Sequence, residues 1–95
     1  MADATSDIIR DDERVRVTRW SFAGPGESTG VHLHEFDYIV IPVTGGRLTV
    51  ELQDGTTTGM LQRAGDPYSG TAGTRHNVVC GSRDPIVFVE VELKR

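Results

Sequence analysis

Hydrophobic and polar residues alternate along most of this chain with the two-residue period of β-strands. The alternation is clearest over residues 15–22, 47–53 and 86–93. Further predicted strands cover residues 31–34, 38–43, 56–62, 68–69 and 76–79. Glycine-, proline- and aspartate-rich turns separate these segments, and no stretch shows a helical period. Short strands between frequent turns predict an all-β sandwich or barrel.

The length of the chain predicts a single domain, because 95 residues can enclose only one thin core. Residues 1–13 are polar and charged and show no period, so we interpret them as a flexible N-terminal arm. The barrel domain then covers residues 14–95. Within the arm, Ile8 and Ile9 are apolar and could dock on a neighbouring subunit.

The first strand of the barrel domain carries apolar residues on both of its faces. Val15 and Val17 have one parity, whereas Trp20 and Phe22 have the other. A strand with one face in water would not need both sets. Together with the thin core, this pattern predicts a homodimer.

Charge and composition exclude several classes of partner. Ten basic residues against 14 acidic ones give a net charge of −4, which argues against binding nucleic acid. The longest apolar run, residues 38–43, is too short to span a membrane. The polar start predicts no targeting leader, and the single cysteine, Cys80, allows no intramolecular disulfide. These features favour a cytoplasmic protein.

Three histidines are the residues with the clearest chemical potential. His32 and His34 are two residues apart, so on a strand their imidazoles lie on the same face. His76 lies on another predicted strand, and a barrel could bring it to the same interior point. Three imidazoles that leave coordination positions open are typical of a catalytic metal site. The alternative is an ordinary pair of surface histidines on one strand.

The spacing of glycines around these histidines resembles the two sequence motifs of the cupin superfamily. These motifs are Gly-x5-His-x-His-x3,4-Glu-x6-Gly and Gly-x5-Pro-x-Gly-x2-His-x3-Asn. The matching positions are Gly26, His32, His34, Gly45 or Gly46, Gly65, Gly73 and His76. The chain is similar to a group of very small bacterial cupins, some of which carry a β-alanine degradation label. The resemblance implies a cupin-type jelly-roll barrel, or double-stranded β-helix, with these histidines as metal ligands.

Three motif positions depart from the cupin pattern. Tyr38 stands where the motif has its glutamate ligand, Thr71 replaces the proline and Cys80 replaces the asparagine. Strand parity separates Tyr38 from Asp37, which would need a bulge to reach a metal. The Tyr38 hydroxyl could contact the metal or a metal-bound ligand, which makes it a candidate catalytic residue. Alternatively, its ring fills the space of the glutamate as a core aromatic.

A second candidate catalytic residue lies on the last strand. Glu90 and Glu92 alternate with valines, so one face of this strand is acidic. That face could lie in solvent. Alternatively, Glu90 points into the barrel, where it could hydrogen-bond a metal-bound group or act as a general base.

The sequence therefore predicts a metal-dependent enzyme that uses one divalent ion, Fe, Mn, Ni or Zn. A set of three neutral imidazoles leaves the ion with its full charge and favours a carboxylic acid as ligand. Oxygenation, decarboxylation, lyase chemistry and isomerisation all stay open, because the fold does not select a reaction. The alternative is a non-catalytic module that binds a metal or small ligand as a sensor or accessory protein.

Overall fold

A computed structural model describes residues 3–94, which form nine β-strands and no helix. The strands are β1 (Thr5–Asp11), β2 (Val15–Phe22), β3 (His32–Leu33), β4 (Asp37–Pro42), β5 (Gly46–Leu52), β6 (Thr57–Gln62), β7 (Tyr68–Gly70), β8 (Arg75–Cys80) and β9 (Ile86–Leu93). Every strand predicted from the alternation is present, with boundaries that agree within about two residues. Accordingly, no helix in the described range could span a membrane.

The strands form two antiparallel sheets that enclose the interior. One sheet has the order β1-β2-β9-β4-β7 and the other has the order β3-β8-β5-β6. Strand order skips between distant parts of the chain, as in a jelly-roll barrel. The predicted all-β architecture is confirmed.

The most deeply buried part of the apolar core lies away from the histidines along the strands. Its largest fully buried side chains are Phe22, Pro42, Leu48, Cys80 and Ile86. Leu48 pairs with Cys80 in one sheet and Phe22 pairs with Ile86 in the other, so both sheets contribute to the core. Four residues before Cys80, the histidine His76 occupies a level about 13 Å away.

Strand β4 shows how strand parity divides the inside of the barrel from its outside. Tyr38 and Val40 are buried, whereas Asp37, Ile39 and Ile41 are exposed. The predicted separation of Tyr38 from Asp37 is therefore confirmed.

The prediction of a loose N-terminal arm is wrong for residues 5–11, which form the edge strand β1. This strand pairs with β2 from Thr5 opposite Ser21 to Asp11 opposite Arg16. Two causes hid it from sequence analysis: its register shifts between residues 8 and 10, and all seven of its residues are exposed. Backbone pairing, rather than burial of a face, holds it in place. Residues 1 and 2 lie outside the described range.

Candidate metal centre

Strand pairing brings the three predicted ligands together. His32 on β3 lies directly opposite His76 on β8. His34 follows the short strand β3, and its backbone NH donates to the carbonyl of Thr74 at 2.9 Å. The backbone NH of Gly73 donates to the carbonyl of His34 at 2.8 Å. These bonds hold His34 beside β8, although no regular strand extends that far.

The three imidazoles converge through their Nε2 atoms. The Nε2 atom of His34 lies 3.1 Å from that of His32 and 3.0 Å from that of His76. The ring planes of the three residues are inclined at 74–88° to one another. Metal–nitrogen bonds of about 2.0–2.1 Å place imidazole nitrogens about 2.8–3.4 Å apart, for right-angled to tetrahedral geometry. Both separations from His34 fall in this range, and the donor atoms of the three histidines all lie within 4.8 Å of one another, so these residues form a candidate site for one ion.

The protonation of the three rings also suits a metal ion. Burial, and then the neighbouring histidines, lower the pKa of His34 to about 4. Burial, and then His32, lower the pKa of His76 to about 4. The Nδ1 atom of His32 lies 2.9 Å from the carbonyl oxygen of Gly30, which can only accept, so this nitrogen carries the proton. The Nε2 atom of His32 then keeps its lone pair for a ligand bond.

Tyr38 packs beside the three histidines, and its hydroxyl is not one of the converging donor atoms. Its ring stacks on that of His34 with centroids 3.9 Å apart and planes 21° apart. Its hydroxyl end lies over Gly70, where a Cβ atom would fall 2.6 Å from Tyr38 Cε1. Burial, and then the charge of Glu90, raises the pKa of Tyr38, so the phenol stays neutral at neutral pH. The ring therefore supports His34 by direct contact.

Glu90 points into the barrel, so the prediction that it could face solvent is wrong. Its side chain is buried, and its Oε2 atom lies 3.8 Å from the Nε2 atom of His34. Burial, and then the charge of Glu92, raises the pKa of Glu90 to about 7, although Arg16 opposes this shift. A carboxyl group with a pKa near neutrality can give or take a proton beside the histidines.

Comparison with known proteins agrees with this fold. Beta-alanine degradation protein BauB of Pseudomonas aeruginosa is 45% identical over 84 residues, which are 88% of this chain and 86% of that protein. A cupin domain from Bordetella pertussis is 39% identical, covers 99% of this chain and 96% of its own, and has a TM-score of 0.92. This chain is a cupin.

A more distant structure extends the likeness in fold alone. An RmlC-like cupin from Methanocaldococcus jannaschii with a double-stranded β-helix fold is 15% identical and has a TM-score of 0.79. It covers 99% of this chain and 83% of its own. No family model matches the sequence.

In this cupin, two residues beside the histidines could not be assigned from sequence. Trp20 stacks on His32 with ring centroids 6.1 Å apart. Arg16 shares the face of Trp20, and its Nε atom lies 3.7 Å from a carboxylate oxygen of Glu92. Strand parity places Arg16 and Trp20 on one face of β2. Their nearness to the histidines depends on the sheet order, which no local pattern encodes.

A cavity and a cleft adjoin the histidines of this cupin. The cavity has a volume of about 200 Å³ and is lined by His32, His76 and Glu90 together with apolar residues from both sheets. The cleft has a volume of about 250 Å³ and is lined by His34, Glu90 and the charged residues Arg16, Glu35 and Glu92, among others. The Cys80 thiol lies in the core and donates to the carbonyl of Ser82 at 3.5 Å, so it does not contribute to the centre.

Proposed function

We propose that this cupin is an enzyme that holds one divalent ion, Fe, Mn, Ni or Zn, on His32, His34 and His76 and acts on a small carboxylic acid. The convergence of three Nε2 atoms at separations of 3.0 and 3.1 Å carries the proposal. A proton between two of these nitrogens satisfies only that pair and leaves the third lone pair without a partner. One cation bound by all three nitrogens satisfies all three lone pairs. The ion, when bound, polarises a substrate oxygen as a Lewis acid.

An acid is the expected ligand because the donor set is neutral. Three imidazoles leave the charge of a divalent ion uncompensated, so an anionic oxygen gains more there than at a site with a carboxylate ligand. The name of the relative BauB points to the degradation of β-alanine, which is also a small carboxylic acid. The reaction belongs to oxygenation, decarboxylation, lyase chemistry or isomerisation.

Glu90 and Tyr38 have different roles in this proposal. Glu90 is buried beside His34, and its raised pKa suits the movement of a proton to or from a bound acid. Tyr38 holds the ring of His34 by stacking. We therefore assign Glu90 as the general base and Tyr38 as a residue that positions His34, one of the three metal ligands.

Metal analysis of histidine variants tests the proposed site. His34→Ala and His76→Ala should each lower metal affinity at least about tenfold, since each removes one of three ligands. Arg75→Ala is the matched control, because Arg75 is the exposed neighbour of His76 on β8 and its side chain points outward. Unchanged metal content in both histidine variants, measured in untagged protein after reconstitution, would refute the assignment.

A second candidate function is a non-catalytic module that holds a metal or a small ligand. The stacking of Tyr38 on His34 favours it, because the ring occupies space beside the centre that a cupin glutamate would use for ligation. Incubation of the metal-loaded protein with candidate acids, followed by NMR, separates the two functions. An acid that binds but is recovered unchanged under air, and also without oxygen, favours the module.

We also propose that the protein forms a homodimer through the outer face of its larger sheet. Ile39 on β4 lies opposite Val91 on β9, which in turn lies opposite Val17 on β2. Ile41 and Val89 form the next pair on the same face, and Ile41 is 40% exposed. A continuous apolar row across three strands suits a self-complementary contact between two copies. We place the dimer in the cytoplasm, in line with the sequence.

A further inference from the structure

The apolar cavity beside the histidines defines a substrate class that is narrower than small acids in general. Resting on the proposed function, we infer that the acid at the metal centre carries a short apolar body, a small alkyl chain or one ring. Its carboxylate lies at the histidines, and its apolar body extends between the two sheets towards the core.

The register of the strands gives the cavity its direction. Val78 is two residues beyond His76 on the same inward face of β8, which corresponds to about 7 Å. Val50 lies opposite Val78, and the next inward pair on β5 and β6 is Leu48 with Met60. A group that leaves the histidines in this direction therefore meets aliphatic side chains.

The facing sheet supplies a wall of the same character. Val40 on β4 and Phe88 on β9 line the cavity and are 3% and 4% exposed, respectively. Trp20, opposite Phe88 on β2, lines it as well. Two apolar walls thus enclose the space beyond the histidines.

Two polar residues of the lining, Tyr68 and Thr29, are already engaged with other parts of the protein. The Tyr68 hydroxyl donates to Gln62 Oε1 at 3.1 Å, and Gln62 Nε2 donates to the carbonyl of Thr44 at 2.9 Å. Thr29 Oγ1 donates to the carbonyl of Gly30 at 2.9 Å and accepts from the NH of Val78 at 3.2 Å. A polar group of the ligand body that lies beside Tyr68 or Thr29 would therefore lose water without gaining a partner, which costs free energy.

The volume of the cavity limits the size of the ligand. An apolar cavity of about 150 Å³ is large enough to bind benzene. The cavity of this cupin measures about 200 Å³, which leaves room for a ring or a chain of similar size together with a carboxylate. A fused-ring or long-chain acid would not fit without displacement of the walls.

The polar cleft on the side of His34 is the alternative location for a polar acid. It brings Glu35, Glu90 and Glu92 together with the single cation of Arg16. An excess of carboxylates repels a further carboxylate, so this cleft is the less favourable place for an acid. The cavity is lined by His32 and His76 and the cleft by His32 and His34, so the difference in charge decides between them.

A pair of isosteric acids tests the inference on the natural protein. Pentanoate and γ-aminobutyrate have the same length, but one ends in a methyl group and the other in an ammonium group. On Zn²⁺-loaded protein, calorimetry should find pentanoate bound at least about tenfold more tightly, and benzoate should also bind. Equal binding, or tighter binding of γ-aminobutyrate, would overturn the inference and indicate the polar cleft.

Variants of the cavity wall provide a second test. Val50→Phe should weaken pentanoate and benzoate at least about tenfold but change acetate less than about twofold, because it fills space beyond the carboxylate. Thr49→Phe is the matched control, since it adds the same ring to the opposite face of β5. If Val50→Phe does not fold, Met60→Ala should shift the preference towards hexanoate over pentanoate. Unaltered relative affinities in the folded variant would contradict the inference.

The same titrations separate this inference from the proposed function. Acid binding that is equal with Zn²⁺ and after removal of the metal by a chelator would contradict the metal-anchored function, even where pentanoate keeps its advantage. Acid binding that requires Zn²⁺ but shows no advantage of pentanoate would contradict only the apolar body. Binding that requires Zn²⁺ and favours pentanoate supports both.

Discussion

The contact between Gly70 and Tyr38 offers a sharp test of how the histidine centre is supported. A Cβ atom on residue 70 would fall 2.6 Å from Tyr38 Cε1 and still closer to the hydroxyl end of the ring. Tyr38 is itself stacked on His34 at 3.9 Å, so it cannot move without disturbing that histidine. Gly70→Ala should therefore destabilise the fold and weaken the metal centre together.

The size of the effect follows from the overlap. Forcing an extra methyl group into a packed site costs about 1–3 kcal/mol. For a domain of this length, each kcal/mol lowers Tm by about 4–8 °C, so Gly70→Ala should lower Tm by about 4–24 °C. Displacement of the ring that supports His34 should also lower metal affinity about 10–100-fold.

The assay is a double-mutant cycle in which Tyr38→Leu relieves the overlap. Chemical denaturation of the metal-free protein should show that Gly70→Ala costs much less when leucine replaces the tyrosine. Gly59→Ala is the matched control, because no atom lies within 4 Å of a Cβ built at this exposed strand position. It should leave stability unchanged or raise it by up to about 1 kcal/mol. A Gly70→Ala cost that is the same in both backgrounds, within about 0.5 kcal/mol, would refute this account of Tyr38.

Three further predictions concern Tyr38, Glu90 and the outer face. Tyr38→Phe should leave the fold and the metal affinity unchanged, because stacking of the ring, rather than the hydroxyl, supports His34. Tyr38→Glu should tighten the binding of a divalent metal ion if its carboxylate reaches the ion. Calorimetry measures the metal affinity of both variants. Burial raises the pKa of Glu90 from 4.5 to about 7, so ionisation of Glu90 destabilises the folded, metal-free protein as the pH rises between these values. The stability that Glu90→Gln adds should therefore grow from pH 4.5 to about 7, reach about 3 kcal/mol and stay constant at higher pH. A stability difference that is independent of pH in denaturant titrations would contradict this. Ile41→Lys should convert a dimer to monomers in light scattering at micromolar concentration, and a wild-type monomer there would disprove the proposed dimer.

The alternation of residues was enough to predict nearly all of the strands, but it could not orient every one of them. On β9 the usual rule is inverted, because Val89 and Val91 face outward whereas Glu90 faces the interior. Because β9 has valines on its outer face and a carboxyl group on its inner face, the polarity of its residues does not show which face points into the barrel. The direction of Glu90 therefore became evident only from its pairing with Val40 and Thr18.

The candidate site divides in the same way between what local spacing encodes and what tertiary structure adds. The spacing of the three histidines was sufficient to predict that they meet, since strand parity and the motif agree. The nearness of Trp20 to His32 requires β2 of one sheet to pack close to β3 of the other, which depends on the tertiary structure. Strand β1 was missed because neither of its faces is buried. The homodimer, the cytoplasmic location and the lack of affinity for nucleic acid stay predictions.

X-ray absorption spectroscopy of untagged protein reconstituted with one equivalent of Zn²⁺ or Ni²⁺ tests the central claim most directly. The three converging Nε2 atoms predict three imidazole ligands at about 2.0–2.1 Å for Zn²⁺, with the other positions held by oxygen. His76→Ala should lower the number of imidazole ligands by one. A shell that contains sulfur, or that has fewer than three imidazoles in the natural protein, would contradict the assignment of His32, His34 and His76 as one metal centre.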